Sequence, residues 1–134
     1  DLGCGAGPIA MTMARRSPGS AVWAVDVNER ARQLTRDNAS ALSLTNVTVA
    51  APDEVPDDVV FDVIWSNPPI KVGKQELHDL LNRWLARLSP DGYAVLVVNK
   101  NLGSDSLAKW LTELGWTVKR ISSRQGFRVL TVKR

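Results

Sequence analysis

The 134-residue chain is the size of one domain, with 44% hydrophobic and 23% charged residues, as is usual in globular proteins. No apolar run approaches the roughly 20 residues that a membrane-spanning helix needs. One cysteine, Cys4, and one histidine, His78, are too few for an internal disulfide or a structural zinc site. We therefore expect a cytoplasmic protein that binds neither a membrane nor a metal.

Charge is distributed unevenly along the chain. The net charge is +3, yet residues 100–134 hold eight Lys and Arg residues against only two acidic ones. Such asymmetry is compatible with a polyanionic partner, but charge alone favours a merely solvated basic edge. The basic residues that we expect to contact phosphates are Lys119, Arg120, Arg124 and Arg128.

In the first half, short apolar runs alternate with amphipathic stretches, which is typical of βαβ units in a mainly parallel sheet. Asp1 to Gly3 would be the tail of a first strand, so we expect the natural protein to extend further upstream. The elements predicted next are a helix over Pro8–Arg16, a strand over 21–27, a helix capped by Asn28 that ends near Ser43, and a strand over 46–50.

The second half continues the alternation. The predicted elements are a loop over 51–58, a strand over 59–66, a helix over 74–88, a turn over 89–92, a strand over 93–99, a helix from Ser104 that Gly115 stops, and strands over 116–121 and Phe127–Lys133. The last two strands have no helix between them and should be antiparallel. The prediction is a Rossmann-like, doubly wound α/β domain over residues 1–134. Its seven-stranded sheet would be mainly parallel, with a truncated first strand and an antiparallel last strand.

The first chemical signal is the glycine loop, residues 1–7, with the sequence DLGCGAG. Glycines at alternate positions allow a sharp turn and let a ligand approach the backbone without meeting a Cβ atom. Dinucleotide-binding domains use a similar loop, so the motif alone is weak evidence. Pro8, however, lacks the N–H that a pyrophosphate would use at the start of the helix, which counts against a nicotinamide cofactor.

Asp26 supplies the second signal, because it ends the second predicted strand. In open α/β sheets ligands bind at the carboxyl ends of the strands, where a carboxylate can accept hydrogen bonds from ribose hydroxyls. A nicotinamide and an adenosyl cofactor would fit equally well. Asp26 therefore predicts a nucleoside without choosing between the two.

The third signal is Asn67-Pro68-Pro69, directly after a buried strand. The two prolines remove backbone donors and stiffen the loop, which leaves the Asn67 amide oxygen and the Pro68 carbonyl as acceptors. An amine on an aromatic ring is a poor nucleophile because its lone pair is delocalised. Two acceptors that grip its hydrogens can aim that lone pair at an electrophilic methyl group, and they bind more strongly as the N–H becomes acidic. The pattern favours methyl transfer to an exocyclic amine.

Together, DLGCGAG, Asp26 and SNPPI resemble the class I S-adenosylmethionine-dependent methyltransferases. The segments SNPPIKVGKQELHDLL, LGSDSLAKWL and QGFRVL resemble the small-subunit (16S) rRNA guanine-N2 methyltransferase family, over essentially the whole chain. The resemblance implies S-adenosylmethionine as cofactor and ribosomal RNA or the small ribosomal subunit as partner.

The resemblance also assigns roles to residues. The glycines would lie against the methionine part of the cofactor, Asp26 would hold the ribose, and Asp53 would contact the adenine amine. The implied cofactor-binding residues are Asp1, Gly3, Gly5, Gly7, Asp26, Asp53 and Asn67. The implied catalytic residues, which hold the target base, are Asn67, Pro68 and Pro69.

Other functions stay open at this point. Family members that act on adenine N6 or on a protein glutamine usually carry an aromatic residue after NPP, where this chain has Ile70. A non-catalytic copy that only binds RNA and a nicotinamide enzyme are further alternatives. Cys4 and the five tryptophans are expected to pack in the core rather than to act as a nucleophile or stack on bases, and His78 to lie partly exposed on its helix.

Overall fold

The computed structural model of the chain describes residues 1–5, 7–67, 73–99, 104–124 and 126–134. The chain divides into two compact units, residues 1–59 and 60–134. Over the described ranges it forms six strands, four α-helices and one 3-10 helix.

The first unit begins with the glycine loop and continues through alternating helices and strands. Its elements are α1 (Pro8–Arg16), β1 (Val22–Val25), α2 (Glu29–Ala41), β2 (Val47–Ala50) and a 3-10 helix (Pro52–Glu54). Helix α1 has the predicted bounds, with Pro8 in its first turn. Helix α2 is capped as predicted, because the Asn28 side chain accepts the N–H of Ala31 at 3.0 Å.

The strands of the first unit are parallel. β1 pairs with β2 from Val22 opposite Val47 to Val25 opposite Ala50. On its other edge, Val25 forms an isolated parallel bridge with Leu2. The truncated first strand of the prediction is thus a bridge at Leu2, which places the start of the glycine loop beside β1.

Small side chains fill the core of this unit. Ala10 and Ala24 have no exposed surface, and Ala14 has 1%. Because alanines leave room for close packing of backbones, α1 can lie near β1 without a gap. The core cluster contains Cys4, Ala10, Met11, Ala14, Val22, Ala24 and Ala39.

The second unit contains β3 (Phe61–Ser66), α3 (Lys74–Leu85), β4 (Leu88–Asn99), α4 (Ser104–Glu113), β5 (Thr117–Arg124) and β6 (Phe127–Lys133). Its sheet has the order β3-β4-β6-β5. β3 and β4 are parallel, whereas β6 is antiparallel to both of its neighbours. The predicted antiparallel last strand is therefore confirmed.

The prediction was wrong at the junction between α3 and β4. We expected the helix to reach Leu88 and residues 89–92 to form a turn, but α3 ends at Leu85 and β4 begins at Leu88. The chain leaves the helix early because the Arg87 carbonyl accepts the N–H of Phe61 at 2.8 Å. The register shift between Phe61 and Val63 then accommodates the extra residues.

The C-terminal hairpin is longer than expected. We predicted that the first of its strands ends at residue 121, but β5 continues to Arg124. Gly115 ends α4 with φ of 98°, a left-handed conformation that favours glycine, as predicted. None of the helices in the described parts of the chain is long and apolar enough to cross a membrane.

Candidate functional site

The glycine loop carries the backbone conformations for which the sequence selects glycine. The φ angles of Gly3, Gly5 and Gly7 are 71°, 56° and 90°, all in the left-handed region. A Cβ atom added at Gly5 would meet no atom of the described residues within 4 Å, whereas one at Gly7 would lie 2.8 Å from Cγ2 of Thr35. The backbone at Gly5 thus borders open space, whereas the space beside Gly7 is filled by the Thr35 side chain.

Asp26 lies directly after β1, and its carboxylate is fixed by two backbone donors. Oδ2 accepts the N–H of Gly5 at 3.0 Å, and Oδ1 accepts the N–H of Asn28 at 2.9 Å. Its own carbonyl accepts Nη1 of Arg32 at 2.9 Å. The structure therefore joins the glycine loop to the end of β1 through a contact that sequence reasoning did not anticipate. Each carboxylate oxygen keeps acceptor capacity for a further donor.

Asp1 closes the other side of the loop. Its Oδ2 accepts the N–H of Ala10 at 3.1 Å, in the first turn of α1. The N–H groups of a first turn have no acceptor within the helix and carry partial positive charge, so a carboxylate there is stabilising. Asp1 thus contacts the protein itself, which ties the start of the glycine loop to the helix that follows it.

Asp53 is placed at the same edge as Asp26. The N–H of Asp26 donates to the Ala50 carbonyl at 3.2 Å, which sets the ends of β1 and β2 side by side. Asp53 follows in the first turn of the 3-10 helix and is exposed. Its neighbour Glu54 is engaged locally, because Oε1 accepts the N–H of Ala51 at 2.7 Å.

Asn67, in the second unit, is exposed and directly follows the last residue of β3. Pro68, Pro69 and Ile70 lie outside the described residues. The grip on the target amine that we predicted from Asn67-Pro68-Pro69 therefore stays a prediction.

Two buried side chains, one from α2 and one within the glycine loop, contact each other and the loop backbone. Thr35 of α2 has no exposed surface, and its Oγ1 lies 2.7 Å from the carbonyl oxygen of Gly5. Cys4 is 5% exposed, and its Sγ lies 3.5 Å from the same hydroxyl. Burial raises the pKa of the Cys4 thiol, which makes it a packing residue rather than a nucleophile.

Sequence reasoning missed the contact between Thr35 and the loop. The available signal was the spacing of Ala31, Thr35 and Ala39, which places three small residues on one face of a helix whose other positions are mostly polar. A threonine on such a face must find a partner for its hydroxyl when it is buried.

The basic residues of the last third divide into engaged and exposed groups. Arg128 pairs with Asp105, and its side chain is only 11% exposed. Arg134 donates to the carbonyls of Ala86 and Leu88 at 3.2 and 3.0 Å. Lys119 and Arg120 are exposed on β5, and the Arg124 side chain is outside the described residues. Arg128 is therefore held by the protein, which leaves Lys119 and Arg120 as the described candidates for phosphate contacts.

No cluster of metal-binding side chains occurs among the residues that the structure describes. His78 of α3 stacks on Trp110 of α4, with ring centroids 3.6 Å apart and planes at 5°. Both residues are partly buried, as expected for side chains that pack between elements. Trp84 is 2% exposed, and the other four tryptophans are partly buried.

Known proteins with similar sequences include methyltransferases and a protein of Bacillus subtilis. The chain is 31% identical to the protein YbxB of Bacillus subtilis over 137 residues, which cover all of this chain and 68% of that protein. It is also 31% identical to the ribosomal RNA small subunit methyltransferase C of Shewanella amazonensis, over 85% of this chain. A release factor glutamine methyltransferase of Gloeobacter violaceus is 38% identical over 52% of this chain. The chain spans 35% and 25% of these two methyltransferases.

Solved structures share the fold over the whole chain. The ribosomal protein L11 methylase of Lactobacillus delbrueckii superposes with a TM-score of 0.83 at 20% identity, covering 100% of this chain and 68% of that one. A TehB-like SAM-dependent methyltransferase of Corynebacterium glutamicum gives a TM-score of 0.79 at 17% identity, covering 100% and 78%. The sequence profile of the methyltransferase small domain family matches residues 1–131. The chain belongs to the methyltransferase small domain family, and it has the fold of the class I S-adenosylmethionine-dependent methyltransferases.

Proposed function

We propose that this chain methylates an exocyclic amine, with guanine N2 of small-subunit ribosomal RNA as the substrate and residues 1–134 as the catalytic domain. The hydrogen bond from Gly5 to Asp26, beside open space at Gly5, supports the cofactor site. The choice of an amine as acceptor rests on Asn67, which directly follows β3. The relative named ribosomal RNA small subunit methyltransferase C supports the choice of substrate.

The residues of the first unit fit S-adenosylmethionine. Because no atom in the part of the chain that the structure describes lies within 4 Å of a Cβ added at Gly5, the methionine part of the cofactor can rest against that backbone. The remaining lone pairs of the Asp26 carboxylate suit two ribose hydroxyls. Asp53, just past β2, would take the adenine amine. When bound, the cofactor supplies a methyl group that its sulfonium makes electrophilic.

Asn67 would hold the target amine through its side-chain oxygen, with the Pro68 carbonyl as second acceptor. The two acceptors localise the nitrogen lone pair and orient it for in-line attack. Methyl transfer to the nitrogen held in this way would break the S–C bond and leave the cofactor as a neutral thioether, and the extra proton on nitrogen would pass to water. No histidine or lysine base is required for this step.

A second candidate is methylation of a protein glutamine. It is favoured by the 38% identity to the release factor glutamine methyltransferase, although this match covers only half of the chain. A glutamine side-chain amide has the same problem as an aromatic amine, because its lone pair is delocalised. The acceptors at Asn67 and Pro68 would serve either substrate.

Methyl transfer to defined acceptors distinguishes the candidates. The chain would be incubated with tritiated S-adenosylmethionine and one acceptor at a time. The acceptors are small ribosomal subunits, deproteinised small-subunit rRNA and a peptide release factor. Mass spectrometry of the nucleosides should then show N2-methylguanosine. N6-methyladenosine among these nucleosides, or a methylated glutamine in peptides from the release factor, would contradict the proposed substrate. Cofactor binding without transfer to any acceptor would indicate a non-catalytic RNA-binding copy.

A further inference from the structure

The hydroxyl of Thr35 contacts the glycine loop rather than serving only its own helix. Oγ1 lies 2.7 Å from the Gly5 carbonyl and 3.1 Å from the carbonyl of Ala31, one turn earlier in α2. A helical threonine usually bonds only to the carbonyl four residues before it. Since a hydroxyl has one proton, the shorter contact indicates that Thr35 donates mainly to Gly5, 30 residues away in the sequence.

Thr35 and Asp26 hold Gly5 from both of its backbone polar groups. Asp26 accepts the Gly5 N–H at 3.0 Å, and Thr35 donates to the Gly5 carbonyl at 2.7 Å. These bonds fix the two torsions of a residue that, as glycine, would otherwise sample many conformations. The side of Gly5 where a Cβ would project stays open, so the fixed backbone borders free space.

The methyl group of Thr35 makes a separate contact with Gly7. A Cβ at Gly7 would lie 2.8 Å from Thr35 Cγ2 and 3.1 Å from Oγ1, so this side chain already fills the space beside Gly7. Gly7 is also the N-cap of α1. One buried side chain therefore supports the loop at Gly5 by hydrogen bonding and at Gly7 by packing.

We infer that Thr35 is a positioning residue for the methyl donor: its hydroxyl sets the Gly5 carbonyl, and so the loop conformation that receives the cofactor. Thr35 itself is fully buried and need not touch the ligand. The inference rests on the proposed placement of S-adenosylmethionine at the glycine loop. A loop that is already ordered before binding loses less conformational entropy when the ligand arrives.

Substitutions at Thr35 separate the hydroxyl from the methyl group. Thr35→Val keeps the shape and removes the hydroxyl, so affinity for S-adenosylhomocysteine should fall roughly tenfold, as expected for one buried hydrogen bond. The Michaelis constant for S-adenosylmethionine should rise by a similar factor, with little change in turnover at saturation. Thr35→Ser keeps the hydroxyl and should hold both values within about twofold, although the lost methyl lowers the melting temperature.

The matched control is Thr112→Val, because the Thr112 hydroxyl donates to Ala108 within its own helix at 2.8 Å and does not serve the loop. Calorimetry with S-adenosylhomocysteine on the whole chain should show wild-type affinity for this variant. Thr35→Ala is compared with Thr35→Ser if the valine variant does not fold, since these two differ in the hydroxyl alone.

The outcomes distinguish the inference from the proposed function. If the wild-type chain binds S-adenosylhomocysteine and Thr35→Val binds it equally well, Thr35 has no positioning role and the cofactor placement stands. If Thr35→Ser loses as much affinity as Thr35→Ala, packing rather than the hydroxyl matters, which also overturns the inference. If the wild-type chain does not bind, the proposed cofactor site is wrong and the inference falls with it.

Discussion

The carboxylate of Asp26 accepts the backbone N–H of Gly5 at 3.0 Å, across 21 residues of sequence. The proposed ribose acceptor and the proposed methionine-binding loop are thus one hydrogen-bonded unit. A substitution at either residue disturbs the other, because a buried or half-buried N–H that loses its acceptor costs about 1–3 kcal/mol.

Asp26→Asn should abolish tight cofactor binding. The amide oxygen can accept only one of the two N–H groups, from Gly5 and Asn28, and its NH2 group then faces the other. We expect the affinity for S-adenosylhomocysteine, measured by calorimetry, to drop at least about tenfold. Asp37→Asn removes the same charge from an exposed position of α2 and should leave the affinity unchanged. Equal affinities in both variants would refute the role of Asp26.

Alanine at Gly5 and at Gly7 should fail for different reasons. Gly5→Ala adds a methyl group to the open space, so it should lower the free energy of unfolding by only about 1–2 kcal/mol, for the left-handed backbone, yet block the cofactor. Gly7→Ala places a Cβ 2.8 Å from Thr35 and should lower stability further, by about 3 kcal/mol or more. Urea denaturation and calorimetry measure the two effects.

Gly115→Ala is the control for this pair. Gly115 also has a positive φ, of 98°, and a Cβ there meets no described residue within 4 Å. The variant should lose about as much stability as Gly5→Ala and keep full cofactor affinity. Unimpaired binding by Gly5→Ala would mean that the cofactor does not approach Gly5.

Asn67→Ala should reduce turnover strongly without weakening cofactor binding. Loss of one preorganised acceptor typically costs about 3–4 kcal/mol of transition-state stabilisation, or roughly 10²–10³ in rate. Asn67→Asp keeps an acceptor at the same position and should retain more activity than the alanine variant. Single-turnover methylation assays provide the rates, and near-normal turnover of Asn67→Ala would mean that the amine is held elsewhere.

Charge reversal on β5 tests the basic face. Lys119 and Arg120 are exposed, so Lys119→Glu with Arg120→Glu should weaken RNA binding. The slope of log affinity against log salt concentration should become shallower by roughly 0.7–0.9 per lost phosphate contact. Arg30→Glu with Arg36→Glu, at two exposed positions of α2, gives the matched change of charge in the first unit. Filter binding over a range of salt concentrations reports the slopes, and an unchanged slope would show that the basic residues only aid solubility.

Local signals predicted many element boundaries. Pro8 begins α1, Asn28 caps α2 through its side chain, and Gly115 ends α4, each where the sequence places it. These signals work because a fixed φ, a short acceptor side chain or a left-handed backbone acts within one turn of the residue that carries it. The positions of Gly5 and Asp26 at one edge follow from the rule that strand ends meet there.

Contacts between distant residues could not be predicted in the same way. Residues 89–92 have the composition of a turn, yet they belong to β4. One reason is the close approach of the Asp62 backbone to Gly92, since a Cβ at Gly92 would lie only 2.9 Å from the Asp62 carbonyl oxygen. Arg134 stabilises the same region from 46 residues away. The bond between Thr35 and Gly5 is also set by tertiary packing, because the spacing of small residues on α2 indicates that Thr35 is buried but does not identify the partner of its hydroxyl.

The single cysteine of the chain lies within the glycine loop, so its reaction rate can report how often the loop opens. Cys4 is 5% exposed and burial raises the pKa of its thiol, so an alkylating reagent reacts only when the loop opens. The alkylation rate divided by that of the unfolded chain then gives the equilibrium constant for local opening. If added S-adenosylhomocysteine slows the alkylation of Cys4, the decrease in rate measures the free energy by which cofactor binding stabilises the closed loop.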